Sequence, residues 1–284
     1  MGRESDTAAF FAMAAFWGLN YPMLKIAFAY EPPLFVLLFR VIFALGGALV
    51  VFRKQLTLPK GGRDNAILFL ISSFNITLFM GLWFIGEESV SAALSSILVY
   101  SYPLFNVLGS AIFLGERPPG ISIAGLILGF LGLIIISGSN FTSAYSTGIV
   151  LLLGSAVCWA AGTIIFKKYA KGIGVATVNV FQYVYSLPVL LIISIIFEGN
   201  AIATPGLQFL SVTAYIGILG TAIAYFIYLH LFRSYSVSSI SSFFFAVPAI
   251  SIVLSSLILS ESLSMITYAG FAVISLGIFL SSRR

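Results

Sequence analysis

Charge is what this sequence lacks most. Only 8% of its 284 residues are charged, where an ordinary soluble domain carries about 25%. So few charges cannot coat a water-soluble fold of this length, and the 60% hydrophobic content must be covered by something other than water. Cysteine is nearly absent. The one residue, Cys158, permits no intramolecular disulfide and no thiolate metal cluster. His230 is the one histidine, so the clustered His, Cys, Asp and Glu of a membrane-embedded enzyme are missing, and neither metal nor cofactor is expected. Acid is scarce inside the apolar runs, none of which holds Asp or Glu away from its ends. A carboxylate proton relay is therefore not expected, and facilitated efflux or exchange is. The rows of pore-lining charge that a channel favours are missing too.

What the sequence has instead is length in its apolar runs. Crossing a hydrocarbon core of about 30 Å takes roughly 20 helical residues at about 1.5 Å each. Ten spans fit, at about 7–29, 33–52, 65–86, 91–114, 119–138, 147–168, 175–197, 207–231, 237–259 and 263–282. The expectation is an all-α, integral, multi-pass membrane protein with short connections. The first run has no small-residue cleavage site after it and reads as a retained helix. The pI of about 9.3 does not signal nucleic acid, because the basic residues lie in short breaks between runs. With the N-terminus in the cytoplasm, 12 of the 14 Lys and Arg fall on the inner side. Glu31, Glu87, Glu88, Glu198 and Glu261 fall in outer loops. That asymmetry places both termini in the cytoplasm of a cell (plasma or inner) membrane.

The chain repeats itself. Pro103 pairs with Pro248, Glu116 with Glu261, Gly125 with Gly270 and Gly132 with Gly277, all 145 residues apart. Earlier in each half the offset is 142, pairing Trp17 with Trp159, Lys25 with Lys167 and Phe39 with Phe181. Each half, 1–140 and 145–284, holds five spans. Five is odd, so the second half enters the membrane from the opposite side. Inverted repeats that meet around a midplane site are a signature of secondary transporters.

These outlines carry a family resemblance. The paired P-x12-E-x8-G-x6-G patterns (Pro103 to Gly132, Pro248 to Gly277) and the AFWGLNYPMLKIA opening at 15–27, echoed by AVCWAAGTIIFKKYA at 156–170, are similar to the EamA-type transporters of the drug/metabolite transporter superfamily. The resemblance covers about 8–282. It implies ten transmembrane helices in two inverted five-helix repeats around a central cavity, with export or exchange of small metabolites. Known members include amino-acid exporters, and relatives carry sugars, nucleotide-sugars and phosphorylated compounds. Smaller relatives that expel cationic drugs by proton exchange use a glutamate in the first helix. The first run here has none, which speaks against that coupling and against lipophilic cations.

Candidate site residues follow from cost. Arg40 is the deepest charge, and an ionisable group there costs at least about 2.5–3.5 kcal/mol unless it faces protein or water. It is either a cavity cation for an anionic substrate group or a tie between helices. Its counterpart is Gln182, so the site is electrically asymmetric. Trp17, Tyr21 and Lys25 share one helical face, expected to point inward; Lys25 either guards an outer vestibule or snorkels. Asn20, Tyr100, Trp159, Tyr183 and Tyr225 complete the candidate substrate-binding set, among polar residues that also serve as interhelical glue. Pro103 and Pro248 are expected to kink mid-membrane helices and hinge gates. Glu116 and Glu261 are expected to be structural, each beside the N-terminus of the helix that follows it. Amino acids or related zwitterions are the expected substrates, with sugar phosphates or nucleotide-sugars as the rival and a passive channel or membrane enzyme as the reading from another class. The expected partners are a small-molecule substrate and the lipid bilayer, with no nucleic acid; nothing in the sequence sets the oligomeric state, and a monomer suffices.

Overall fold

The structure is a computed structural model of the chain, and it describes residues 3–117, 119–137, 143–199, 205–235, 244 and 246–281. In hydrocarbon a backbone must satisfy its own polar groups, so an open chain this apolar spans as helices. Ten helical segments appear among the described residues. They are α1 (Arg3–Phe28), α2 (Pro33–Phe52), α3 (Gly61–Glu88), α4 (Ala92–Phe113), α5 (Gly120–Ser137), α6 (Ser143–Tyr169), α7 (Val175–Glu198), α8 (Leu207–Ser234), α9 (Ala246–Leu259) and α10 (Met265–Ser281). Six of them, α2, α3, α4, α6, α7 and α8, are long and apolar enough to cross a membrane by length and composition. The fold is that of an all-α, ten-helix integral membrane protein.

Three differences from the sequence expectations matter. First, α3 extends to Glu88, so Glu87 and Glu88 belong to a helix and not to an outer loop. Second, α4 is broken rather than kinked. It runs from Ala92 to Val99, turns at Tyr100 and Ser101, and restarts at Tyr102 with Pro103 in the new first turn. Proline is at home there, since a first-turn N–H has no intrahelical acceptor. Pro248 sits near the start of α9, not in its middle. Most of the preceding stretch of the expected ninth span, 237–243 and 245, lies outside the described residues. Third, Glu261 does not cap the helix that follows it. Its carboxylate accepts from the backbone N–H groups of Ala92 and Ala93, at 3.0 and 3.1 Å. It thus closes the N-terminus of α4, in the other half of the chain. Glu116 is exposed.

The repeated outline has a local cause. Gly115 and Ser260 adopt left-handed φ of 69° and 55°. The next residues reach back, Glu116 N–H to Ser110 O at 3.2 Å and Glu261 N–H to Ser255 O at 3.4 Å. The repeated glutamate therefore follows the left-handed turn that stops α4 and α9. The paired glycines of α5 and α10 face one another. A Cβ on Gly277 would fall 2.6 Å from Gly129 Cα, and one on Gly132 would fall 2.9 Å from Gly270 O. Small residues here let two backbones touch.

Packing repeats across the halves as well. α1 packs on α9 as α6 packs on α4, α1 on α8 as α6 on α3, and α2 on α8 as α7 on α3. α2 meets α7, and α5 meets α10, on the exchange axis itself. α3 and α8 each widen into one π-helical turn, at Ser73–Leu78 and Ile218–Ile223. The turns start 145 residues apart, yet SFNITL and ILGTAI share no residue at any position. The sequence signal has gone and the geometry has stayed.

Two substitutions test these local causes by denaturant or thermal unfolding in detergent micelles. Gly277→Ala lowers stability by about 1–3 kcal/mol, because the contact it invades is backbone. Ser260→Gly raises stability by about 1 kcal/mol, because a left-handed non-glycine residue carries roughly that cost.

Candidate functional site

Helical spacing brings the site together. Trp17 and Tyr21 lie one turn apart on α1, Phe79 and Trp83 one turn apart on α3. With Arg40 of α2, Tyr100 at the break of α4, Trp159 of α6 and Tyr225 of α8, they line one cavity in the centre of the bundle. None of the eight is more than 4% exposed. The free space is about 10 Å³, close to the least that holds a single water. Aromatic rings fill the rest. Tyr102 stacks on Trp159 with centroids 3.8 Å apart, Phe79 stacks on its ring at 4.7 Å, and Trp17 meets it edge-on at 5.5 Å.

Arg40 is wholly buried. Its Nε donates to Thr221 Oγ1 at 2.6 Å and Nη2 to Gly220 O at 3.4 Å. Trp83 and Phe84 present ring faces to the guanidinium, 5.1 and 5.3 Å away. Nη1 has no hydrogen-bond partner among the described residues. Among the described residues no carboxylate lies within 4 Å of it; the ion pair found at that range joins His230 and Asp6. The π-turn of α8 makes this seat. Gly220 O also accepts from Trp17 Nε1 at 3.0 Å and Asn20 Nδ2 at 3.2 Å, and Thr221 Oγ1 donates to Ile216 O at 2.7 Å. Opening the helix by one residue frees carbonyls that an α-helix would have used.

The other sequence candidates stand around this centre. Asn20, Gln182 and Tyr183 are buried but do not line the cavity. Asn20 holds the π-turn, while Gln182 Nε2 and Tyr183 OH donate to Asn179 Oδ1 at 3.2 and 2.9 Å. Lys25 neither snorkels freely nor faces the cavity. Its ammonium donates to the carbonyls of Glu87 and Glu88, at 2.5 and 3.2 Å, at the C-terminus of α3. A cation belongs there, opposite the negative end of the helix dipole. Its repeat mate Lys167 does the same for α8, donating to Tyr235 O at 2.8 Å. At that end Asp6 joins α1 to α8 through His230 Nε2 at 3.5 Å and Tyr235 OH at 2.9 Å.

Sequence reasoning missed Phe79, Trp83 and Glu87. The first two carried a usable signal, since they sit one turn apart in a span and tryptophan is rare in the chain. Glu87 carried none. It is fully buried, its Oε2 accepts from Trp83 Nε1 and from Ser95 Oγ (2.8 Å for the latter), and its Oε1 has no partner.

Comparison with known proteins gives the family. The sequence model of the EamA-like transporter family matches residues 7–138 and again 146–283. YvbV of Bacillus subtilis (strain 168), an uncharacterized transporter, is 33% identical over 264 residues, covering 91% of this chain and 85% of that protein. YedA of Escherichia coli (strain K12), an uncharacterized inner membrane transporter, is 25% identical over 275 residues, covering 96% and 89%. A solved crystal structure superposes with a TM-score of 0.73 over 98% of this chain and 96% of the other, at 18% identity. That likeness shows the fold alone.

The seat of Arg40 is testable without a substrate. Thr221→Val strands Nε of a buried guanidinium and lowers unfolding stability by about 1–3 kcal/mol; Thr221→Ser keeps the acceptor and most of the stability. Equal melting of both variants in micelles contradicts the seat described.

Proposed function

Because the chain belongs to the EamA-like transporter family and is a multi-pass membrane transporter, we propose that it exports or exchanges small organic metabolites, amino acids or related zwitterions foremost, by alternating access across a cell membrane, with both termini in the cytoplasm. The observation that carries the substrate class is the open Nη1 of Arg40. A buried guanidinium without a counter-ion is expensive. A substrate carboxylate at that edge of the cavity supplies the missing charge and can do so bidentately. The aromatic wall of Trp17, Tyr21, Phe79, Trp83, Tyr100, Trp159 and Tyr225 receives the organic part, as such walls do in small-molecule sites. A single deep cation suits one carboxylate better than a doubly charged phosphate, which ranks sugar phosphates and nucleotide-sugars second.

At about 10 Å³ the cavity admits no metabolite, so the described state is the closed one in this reading. The seal at one end is Lys25 on α3 with Glu261 on α4. At the other it is Asp6 with His230 and Tyr235. Gating rocks the halves so that one seal opens while the other holds, and the break of α4 before Pro103 and the start of α9 at Pro248 serve as hinges.

In proteoliposomes, a counterflow screen of amino acids and other metabolites returns saturable, trans-stimulated exchange of carboxylate-bearing compounds. Arg40→Gln lowers that exchange by about 10- to 100-fold, the worth of a hydrogen bond to a charged group. Unchanged exchange removes Arg40 from the site, and flux without saturation replaces the transporter reading with a channel. Pro103→Ala and Pro248→Ala slow exchange without abolishing it; wild-type rates in both remove the hinges.

A further inference from the structure

Glu87 is a buried ionisable group that the substrate site does not use. We propose that Glu87 is a proton-binding site linked to the substrate cavity, so that a proton and a substrate carboxylate are bound together. The inference rests on the transport reading above for the second ligand but not for the first.

Three observations carry it. The first is isolation. Glu87 has 0% exposure, neutral hydrogen-bond donors on Oε2 and, among the described residues, none on Oε1. Asp6, also buried, accepts from Tyr235 OH on Oδ2 and has the His230 imidazole 3.5 Å from Oδ1. A carboxylate sealed from water without an ion-pair partner sheds its charge by taking up a proton, and a wetted one keeps it. The second is position. Glu87 lies in the last turn of α3 behind Trp83, whose Nε1 donates to it and whose ring lies 5.1 Å from the Arg40 guanidinium. Trp83 lines the cavity and Glu87 does not, so Glu87 acts on the substrate through its field and not by contact. The third is access. The α3–α4 turn above Glu87 is clamped from outside its own helix pair, by Lys25 of α1 on the Glu87 and Glu88 carbonyls and by Glu261 on Ala92 and Ala93. Release of either clamp wets Glu87.

The charged and titratable surroundings fix the sign. Tyr21 and Lys25 face Glu87 from α1, Arg40 from α2, and Glu261 from the turn between α9 and α10, while Glu88 adjoins it on α3. Lys25 keeps its charge while its ammonium donates to carbonyls and is the cation that acts most on Glu87; Arg40 also feels the charge of Glu87, from the cavity side. A negative Glu87 offsets part of the attraction between Arg40 and a substrate carboxylate, and a proton on Glu87 restores it. By linkage the substrate raises proton affinity by the same factor. Co-binding selects exchange, or movement down the proton gradient, over net export against it.

Two measurements separate the parts. Infrared difference spectra of the purified protein, with pH stepped across the neutral range, show a carboxylic-acid C=O band that Glu87→Gln removes and Glu87→Asp retains. A band unaltered by Glu87→Gln, or no band, overturns the proton site whatever the flux. The second measurement uses proteoliposomes enclosing a pH-sensitive dye. An equimolar mixture of the twenty amino acids, added outside as the probe, drives protons inward with the wild type. Substrate uptake rises at least about fivefold with an acid exterior, a coupling typical of linked sites, and Glu87→Gln loses both responses. Uptake that follows a sodium gradient instead, or that is insensitive to pH while Glu87→Gln matches wild type, overturns the linkage. Absence of any amino-acid flux alongside a Glu87-dependent band defeats the substrate reading and leaves the proton site standing.

Discussion

Burying one guanidinium without a counter-ion sets the terms for the centre of this protein. Arg40 cannot be satisfied by a straight helix, whose carbonyls are already engaged. α8 answers by widening at Ile218–Ile223, which turns the Gly220 carbonyl toward Trp17, Asn20 and Arg40 at once and aims Thr221 at Nε. Glycine at 220 is part of the same solution, since a side chain there would overlap Asn20. The Trp83 and Phe84 faces complete the seat with ring quadrupoles in place of an anion. Each of these groups is placed by the need to house a charge, and Nη1 is the nitrogen they leave unpaired among the described residues.

The scaffold around that charge is nearly symmetric, and the chemistry is not. Asn20 of α1 packs against Gly220 of α8; under exchange of halves, Asn75 of α3 packs against Gly162 of α6. The contact is conserved in kind while the asparagine comes from the first half both times. Both repeat lysines cap the third helix of their own half. Arg40, however, faces a repeat mate that is Gln182, and the position matching Glu87 is Phe232, a buried hydrocarbon. Backbone constraints of helix pairing act on both halves alike, so they persist in both. A second copy of this charge would face the first across the axis with like-charge repulsion and its own desolvation cost.

How much of this was legible depends on where each feature is encoded. Span number, the repeat and the depth of Arg40 are written in composition and spacing, because the bilayer reads local sequence directly. Trp17, Tyr21, Tyr100, Trp159 and Tyr225 came with them, being aromatic or amphipathic residues deep in spans, and all five line the cavity. The π-turns were illegible: SFNITL and ILGTAI match at no aligned position, and what holds them open is tertiary, namely the donors that claim their carbonyls. Glu87 was misread for a related reason. A Glu-Glu pair at a span end, followed by Ser and Val, has the look of a loop. Only the packing of α1 and α4 around it, with Trp83 and Ser95 taking its oxygen, removes it from water. The glutamate beside it, Glu88, is exposed, so one residue of helical rotation separates a solvated acid from a buried one.

The size of the cavity then links energetics to motion. Space for about one water between stacked rings means that no organic ligand can enter without separating aromatic faces. Separating them costs the contact area that holds α1, α3, α6 and α8 together. In the transport reading proposed above, the closed state is stabilised by the same rings that grip a substrate, and a ligand that inserts between them recovers much of what their separation loses. An anion recovers more, because it also relieves Arg40. A ligand of the wrong charge recovers less, having to oppose a guanidinium that, among the described residues, no carboxylate within ion-pair distance neutralises. Selectivity in such a site arises from this difference in the cost of opening, not from a rigid mould. It also explains why a nearby buried acid matters: whatever fixes the charge of Glu87 changes the field that the opening ligand must meet, and does so from behind a ring that forms part of the wall.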